Sequence, residues 1–162
     1  MAKVPALGHE GTVITEVAAI IAYLCDFYAQ KGLAPAPSTV ERGVYYRWMF
    51  FGAGPLDGAV SHAGLGLIPE TPQDQGRVGY GSLDRVCDTL EGVLADQDWI
   101  VGSDFTAADV VIASQLGFAL MMGTIADRPI LSGYVARAMA RPAAIRAREL
   151  DDALAAEMAG TD

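Results

Sequence analysis

Apolar positions along this chain recur mainly at helical spacing. Leu83, Val86, Cys87, Leu90, Val93 and Leu94 form one stripe, while Asp84, Arg85, Asp88 and Glu91 occupy the other faces. That periodicity predicts an amphipathic helix, ended by Asp96-Gln97-Asp98. A second stripe, Val40, Val44, Trp48 and Phe51, is widened by Tyr45 and Met49. It predicts a long helix over 38–51, capped by Ser38 with Glu41 completing a capping box. Gly52-Ala53-Gly54-Pro55 must then kink or break it. Residues 110–126 carry no charge at all, which predicts a helix buried on nearly every side. Its start is specified: Thr106 as N-cap, Asp109 at the third helical position reaching back, and Phe105 and Val110 placed as a hydrophobic staple. Asp109 is read as a structural carboxylate. This element should be the central post of a helical domain.

The N-terminal stretch is different. Residues 3–7 are a short extended run, Gly8-His9-Glu10-Gly11 a hairpin loop, and residues 12–14 the return strand. Pro5 cannot donate to a ladder, so it takes an edge position or follows a cis Val4–Pro5 bond. His9, at the loop tip, is expected to be solvated. Thr15-Glu16-Val17 opens a helix in which Ile20, Tyr23 or Leu24, and Phe27 recur, ending near Lys31-Gly32. Glu16 admits two readings: a carboxylate favoured by the helix dipole, or one facing a ligand ammonium. Ala34-Pro35-Ala36-Pro37 reads as a linker and domain boundary. Gly76, Gly79 and Gly81 follow no strand and have the wrong spacing for a phosphate loop. Pro129 and Pro142 introduce two further helices, the last carrying Leu150, Leu154 and Met158.

Composition narrows the function. The 162 residues suffice for one ordinary domain or one and a part, and 52% are apolar, so a substantial core can form. A net charge of −9 disfavours nucleic acid. Ser114, Gln115, Gly117 and Gly123 interrupt the 110–126 run, favouring a buried helix over a membrane span. No secretory signal is evident after Met1. Cys25 and Cys87 stand alone, without metal or CxxC spacing, and read as buried free thiols in a reducing cytoplasmic compartment. No metal site is expected.

Several stretches in order resemble the cytosolic-type glutathione S-transferases, in keeping with bacterial members. They are Lys3-Val-Pro-Ala-Leu7, the Thr15-Glu16-Val17 helix through Leu24, Trp99-Ile-Val-Gly102 followed by Phe105-Thr-Ala-Ala-Asp109, and Arg141-Pro142-Ala143. Trp48-Met49-Phe50-Phe51 fits the bacterial pattern. The resemblance covers almost the whole chain. It implies a mainly α fold: a partial thioredoxin-like α/β unit, hairpin plus helix, at 1–32, then an all-helical C-terminal domain at 38–160. It further implies glutathione as co-substrate and a small electrophile as its acceptor. Val4 and Pro5 would meet the cysteinyl unit through the backbone, Glu16 would hold the γ-glutamyl ammonium, and Val17 stands where the family has a serine. A backbone N–H there could still meet the carboxylate, but the missing hydroxyl should weaken binding by about 1 kcal/mol or more. Tyr45, Trp48 and Met49 are candidates for the electrophile pocket wall.

The family's opening strand–helix–strand, about 30 residues or more, has no counterpart in this sequence. With it goes the Tyr, Ser or Cys that favours the thiolate, so the catalytic residue is unknown. A lone hairpin is also marginal in stability. Three readings stand: a transferase, weak or inactive as this chain; a non-catalytic binding or assembly module on the same fold; and a truncated product of a longer gene. The resemblance implies a homodimer, whose interface uses the reduced part. Retention on immobilised glutathione, lost in Glu16→Ala, separates a working site from a pure interaction module.

Overall fold

The computed structural model describes residues 3–160. Two short strands open the chain. β1 (Ala6–His9) pairs antiparallel with β2 (Thr12–Thr15), Ala6 opposite Thr15 and His9 opposite Thr12. The turn is Glu10-Gly11, both at positive φ, as a two-residue primed hairpin turn requires. Pro5 lies just before β1, and the Val4–Pro5 peptide is cis. Pro5 therefore removes no hydrogen bond from the ladder.

Helix α1 (Val17–Phe27) follows β2 directly, and a 3₁₀ turn at Ala29–Lys31 carries the chain to Gly32 in the left-handed region. The hairpin is not free-standing. His9 Nδ1 lies 2.6 Å from the Tyr23 hydroxyl, and its ring packs edge-on to Phe27 at 4.7 Å. His9 is thus a partly buried pin between the hairpin tip and α1 rather than a solvated loop residue. Partnering by α1 supplies what a two-stranded ribbon lacks.

Helix α2 (Val40–Phe51) begins one residue later than its capping box predicts. Thr39 is the N-cap and accepts from Arg42 N at 3.3 Å, while Ser38 sits at φ 66°. The helix does not break at the glycines. Gly52–Leu56 widen into a π-turn that accommodates Pro55, and α3 (Asp57–Gly64) continues from it. Gly52 explains the close approach here: a Cβ on it would lie 2.7 Å from Val111 Cγ1. Helix α4 (Pro72–Arg77) and α5 (Leu83–Leu94) follow, α5 burying Val86, Cys87, Leu90 and Leu94 as its stripe predicts. Then come α6 (Ala107–Met121), α7 (Pro129–Met139) and α8 (Pro142–Ala159), with both prolines in the first turn of their helices.

α6 is the post. Ala107, Ala108, Asp109, Val111, Ile112, Ala113, Leu116 and Ala119 are all buried. α1, the π-turn segment, α2 and α7 pack around it. Asp109 has no exposure, and four donors converge on its carboxylate. Oδ1 accepts from Ile100 N at 2.8 Å and from the Tyr134 hydroxyl at 2.9 Å. Oδ2 accepts from Thr106 N at 2.8 Å and from the Thr106 hydroxyl at 3.0 Å. The capping box forms as expected. Val110 is 37% exposed, and Phe105 packs against Trp99 and beneath the Arg141 guanidinium. No helix among the described residues is long and apolar enough to cross a membrane.

Candidate binding site

The junction of hairpin and α1 sets the site. Glu16 is the residue before α1, at φ 69° and ψ 122°. A non-glycine residue at positive φ is uncommon and points to a positional demand. Its side chain makes no capping bond, although its carbonyl accepts from Ile20 N at 2.9 Å. The carboxylate is therefore left uncommitted at the positive end of the helix. Val17 is the first helical residue, and its N–H is among the first-turn donors that have no partner within a helix.

Lys3, Val4, Pro5, Thr15, Glu16 and Val17 line one cavity of about 170 Å³. The four residues proposed from the sequence, Val4, Pro5, Glu16 and Val17, are thus brought together, though they lie on both sides of the hairpin. The register does this: Ala6 opposite Thr15 carries Pro5 next to Glu16. Lys3 was not singled out from the sequence. Lys3 and Glu16, of opposite charge, line the same cavity, a pairing suited to a zwitterionic ligand. The only sequence signal of Lys3 was a cation next to the Val-Pro step.

Glu16 and Val17 also line a second cavity of about 340 Å³, whose far wall is Val110, Val111, Ser114 and Gln115 of α6. The two cavities share the start of α1. Tyr45, Trp48 and Met49 lie elsewhere. They are 0%, 1% and 3% exposed and pack within the core, lining none of the cavities described here. Their face of α2 is the buried one, so the expected pocket wall is core instead. Burial pushes the Tyr45 phenol well above its usual range, with the Cys25 thiol beside it adding to the rise. Burial likewise raises Cys25.

The two flanks of the 35–37 linker are tied together below this site. Arg42, 6% exposed, donates to the Pro35 carbonyl at 2.9 Å and to Asp26 Oδ1 at 2.5 Å, between the Tyr45 and Tyr46 rings. Ala107 N donates to the Leu33 carbonyl at 2.8 Å, fastening the start of α6 to the stretch just before Pro35. These bonds hold α1, and with it Glu16, against the helical core. Among the described residues, no group of three or more His, Cys, Asp or Glu side chains is placed to hold a metal.

Comparison with known proteins agrees with this architecture. Residues 63–142 match the family described as the glutathione S-transferase C-terminal domain. Glutathione S-transferase GstA of Escherichia coli O157:H7 is 28% identical over 159 residues, covering 96% of this chain and 74% of its own length. GstB of E. coli K12 is 27% identical over 136 residues, 81% of this chain and 65% of GstB. This chain thus spans 65–74% of the length of these relatives. A sphingomonad glutathione S-transferase solved in complex with glutathione superposes with a TM-score of 0.74 at 26% identity, over 93% of this chain and 74% of that one. A helical half that matches by sequence, and a hairpin and α1 that superpose with it as one fold, make this chain similar to the bacterial glutathione S-transferases in sequence and architecture.

Proposed function

We propose that this chain binds glutathione in the cavity between the hairpin and α1 and serves its transfer to a small electrophile. The observation that carries the reading is the joint lining of one cavity by Lys3, Val4, Pro5, Glu16 and Val17. Glu16, uncommitted to a cap, faces the γ-glutamyl ammonium. The α1 start and Lys3 face the γ-glutamyl carboxylate. The exposed Val4 backbone offers an extended edge for the cysteinyl unit. In the reaction the thiol gives up its proton to solvent, the thiolate sulfur forms a bond to the electrophilic carbon, and the leaving group departs with its electron pair. Thiolate is the attacking species, so a group that favours it sets the rate. No Tyr, Ser or Cys lines the cavity, and Thr15 supplies its one side-chain hydroxyl. This chain by itself is therefore a binder first and a weak transferase second.

The same lack of an activating group favours a second reading, a binding module without turnover. A homodimer belongs to the first reading. Val40 and Val44, one turn apart on α2, and Phe50 beyond them, expose apolar surface that a second copy would cover. A reducing, cytoplasmic setting suits both the tripeptide thiol and the buried free thiols Cys25 and Cys87. Calorimetric titration of glutathione tests the site. Glu16→Ala should weaken binding about tenfold, the lower end expected for losing a charge-assisted bond at an exposed position. No binding to the unmodified chain, or equal binding to both, would sink the proposal. Conversion of a generic electrophile at rates above the uncatalysed background separates transferase from binding module.

A further inference from the structure

The face of α3 that carries Ala59 and Ala63 borders a cavity of about 520 Å³, closed by residues 67–70, Gln75 of α4 and the start of α5. It shares no residue with the two cavities lined by Glu16. Its walls are fixed before any ligand arrives. The Tyr80 hydroxyl lies 2.7 Å from His62 Nδ1, and the Tyr80 ring sits against Gly58, where a Cβ would come within 3.4 Å of it. Gln75 Nε2 donates to the Pro69 carbonyl at 3.3 Å, and Leu67 N to the His62 carbonyl at 2.8 Å, so the loop between α3 and α4 is tied down at both ends. Leu67 and Ile68 nevertheless remain 60% and 64% exposed. A preformed cavity of this size, with an apolar body and few polar groups, suits a small organic molecule and spares it the cost of ordering the wall.

Charge selects among such molecules. Glu70 and Asp84 line the cavity, and no Lys, Arg or His does. Glu70 has no hydrogen bond or ion pair among the described residues. Asp84 accepts from Arg128 at 2.9 Å, but the same guanidinium serves Asp88 and Glu91 at 2.6 and 2.8 Å, so one positive charge faces three negative ones. The potential at this mouth is therefore negative, and it draws cations and repels anions.

We propose that this cavity binds a small amphiphilic amine. Its ring or short chain lies against Leu67, Ile68 and the Tyr80 ring, and its ammonium pairs with Glu70. The assignment does not rest on the glutathione reading and stands or falls without it.

Three probes share one apolar body and differ in the charge of the head: 3-phenylpropylamine, 3-phenylpropanol and 3-phenylpropionate. Each is titrated by calorimetry into the full chain near neutral pH, without glutathione. The amine should bind about fivefold more tightly than the alcohol, as one partly exposed ion pair implies, and the carboxylate more weakly than the alcohol. Glu70→Gln should remove the advantage of the amine and leave the affinity for the alcohol unchanged. Ile68→Ser, at an exposed loop position, should weaken all three. Glu16→Ala should change none of them, which separates this cavity from the acidic start of α1. Absence of amine binding, equal binding of amine and alcohol, a preference that survives in Glu70→Gln, unchanged affinities in Ile68→Ser, or a preference lost in Glu16→Ala would each overturn the assignment. Because glutathione is absent, none of these results bears on whether that tripeptide binds.

Discussion

Replacing Asp109 by alanine should cost this protein a large share of its stability. The carboxylate has no exposure and gathers two backbone N–H groups and two hydroxyls within 3.0 Å. Ile100 and Tyr134 have no exposure either, and Thr106 is 4% exposed, so none of these donors has water to turn to. Each buried donor left unpaired costs about 1–3 kcal/mol. Relief from burying a carboxylate offsets part of that sum, and side-chain rotation offsets more, leaving about 3–5 kcal/mol. Domains are typically stable by about 5–15 kcal/mol, so the variant should be marginal, with Tm lower by about 6–20 °C at this chain length. Two graded controls test the cause. Tyr134→Phe removes one of the four bonds and should cost about 1 kcal/mol. Asp109→Asn keeps the shape but turns an N–H₂ toward a pair of donors, and should cost about 2–4 kcal/mol. Urea unfolding followed by circular dichroism measures all three. A loss below about 1 kcal/mol in Asp109→Ala, or wild-type stability in Asp109→Asn, would refute the claim that this carboxylate organises the fold.

Two further outcomes follow from the packing. Gly52→Ala should destabilise by about 1–2 kcal/mol despite alanine's better helix propensity, because its methyl would enter the space of Val111; in a Val111→Ala background the same change should be neutral or stabilising, and a penalty persisting there would refute the steric cause. Stability should also fall at alkaline pH. Burial raises Tyr134, with the Asp109 charge adding to it, and burial raises Tyr45, both from an ordinary value of 10. Above that pH the unfolded chain loses both protons while the folded chain keeps them. Each group therefore removes about 1.4 kcal/mol per pH unit as pH climbs above 10, and Tyr134→Phe should flatten the slope measured by urea titration between pH 10 and 11.

The local grammar of the chain was legible because it rests on neighbours in sequence. The α5 stripe, a hairpin turn within residues 8–11 (narrower in the structure, at Glu10-Gly11, with Gly8 and His9 in β1), the prolines opening α7 and α8, and the Thr106–Asp109 box all depend on residues a few positions apart. The misreadings came from choices that local energetics leave nearly balanced. Ser38 and Thr39 are both competent caps, and the chain settled on Thr39, with Ser38 at positive φ. Phe105 meets Trp99 and Arg141, brought in from either side in sequence, contacts that spacing alone does not announce. His9 looked solvated because Tyr23, fourteen residues away, is its partner only after the hairpin folds back on α1.

The sequence by itself determined that an acid-led helix follows a proline-bearing hairpin, and that an uncharged helix with a fixed start would be the post of a helical bundle. Only the tertiary structure decided what faces outward. Tyr45, Trp48 and Met49 form a stripe that pattern alone cannot assign to a pocket or a core, and packing against α6 made it core. Likewise nothing near Gln115 in sequence marks it out, and only the folded chain buries its Oε1 without a hydrogen-bond partner. Period and capping act over a single turn of chain, whereas burial depends on which surface arrives from elsewhere.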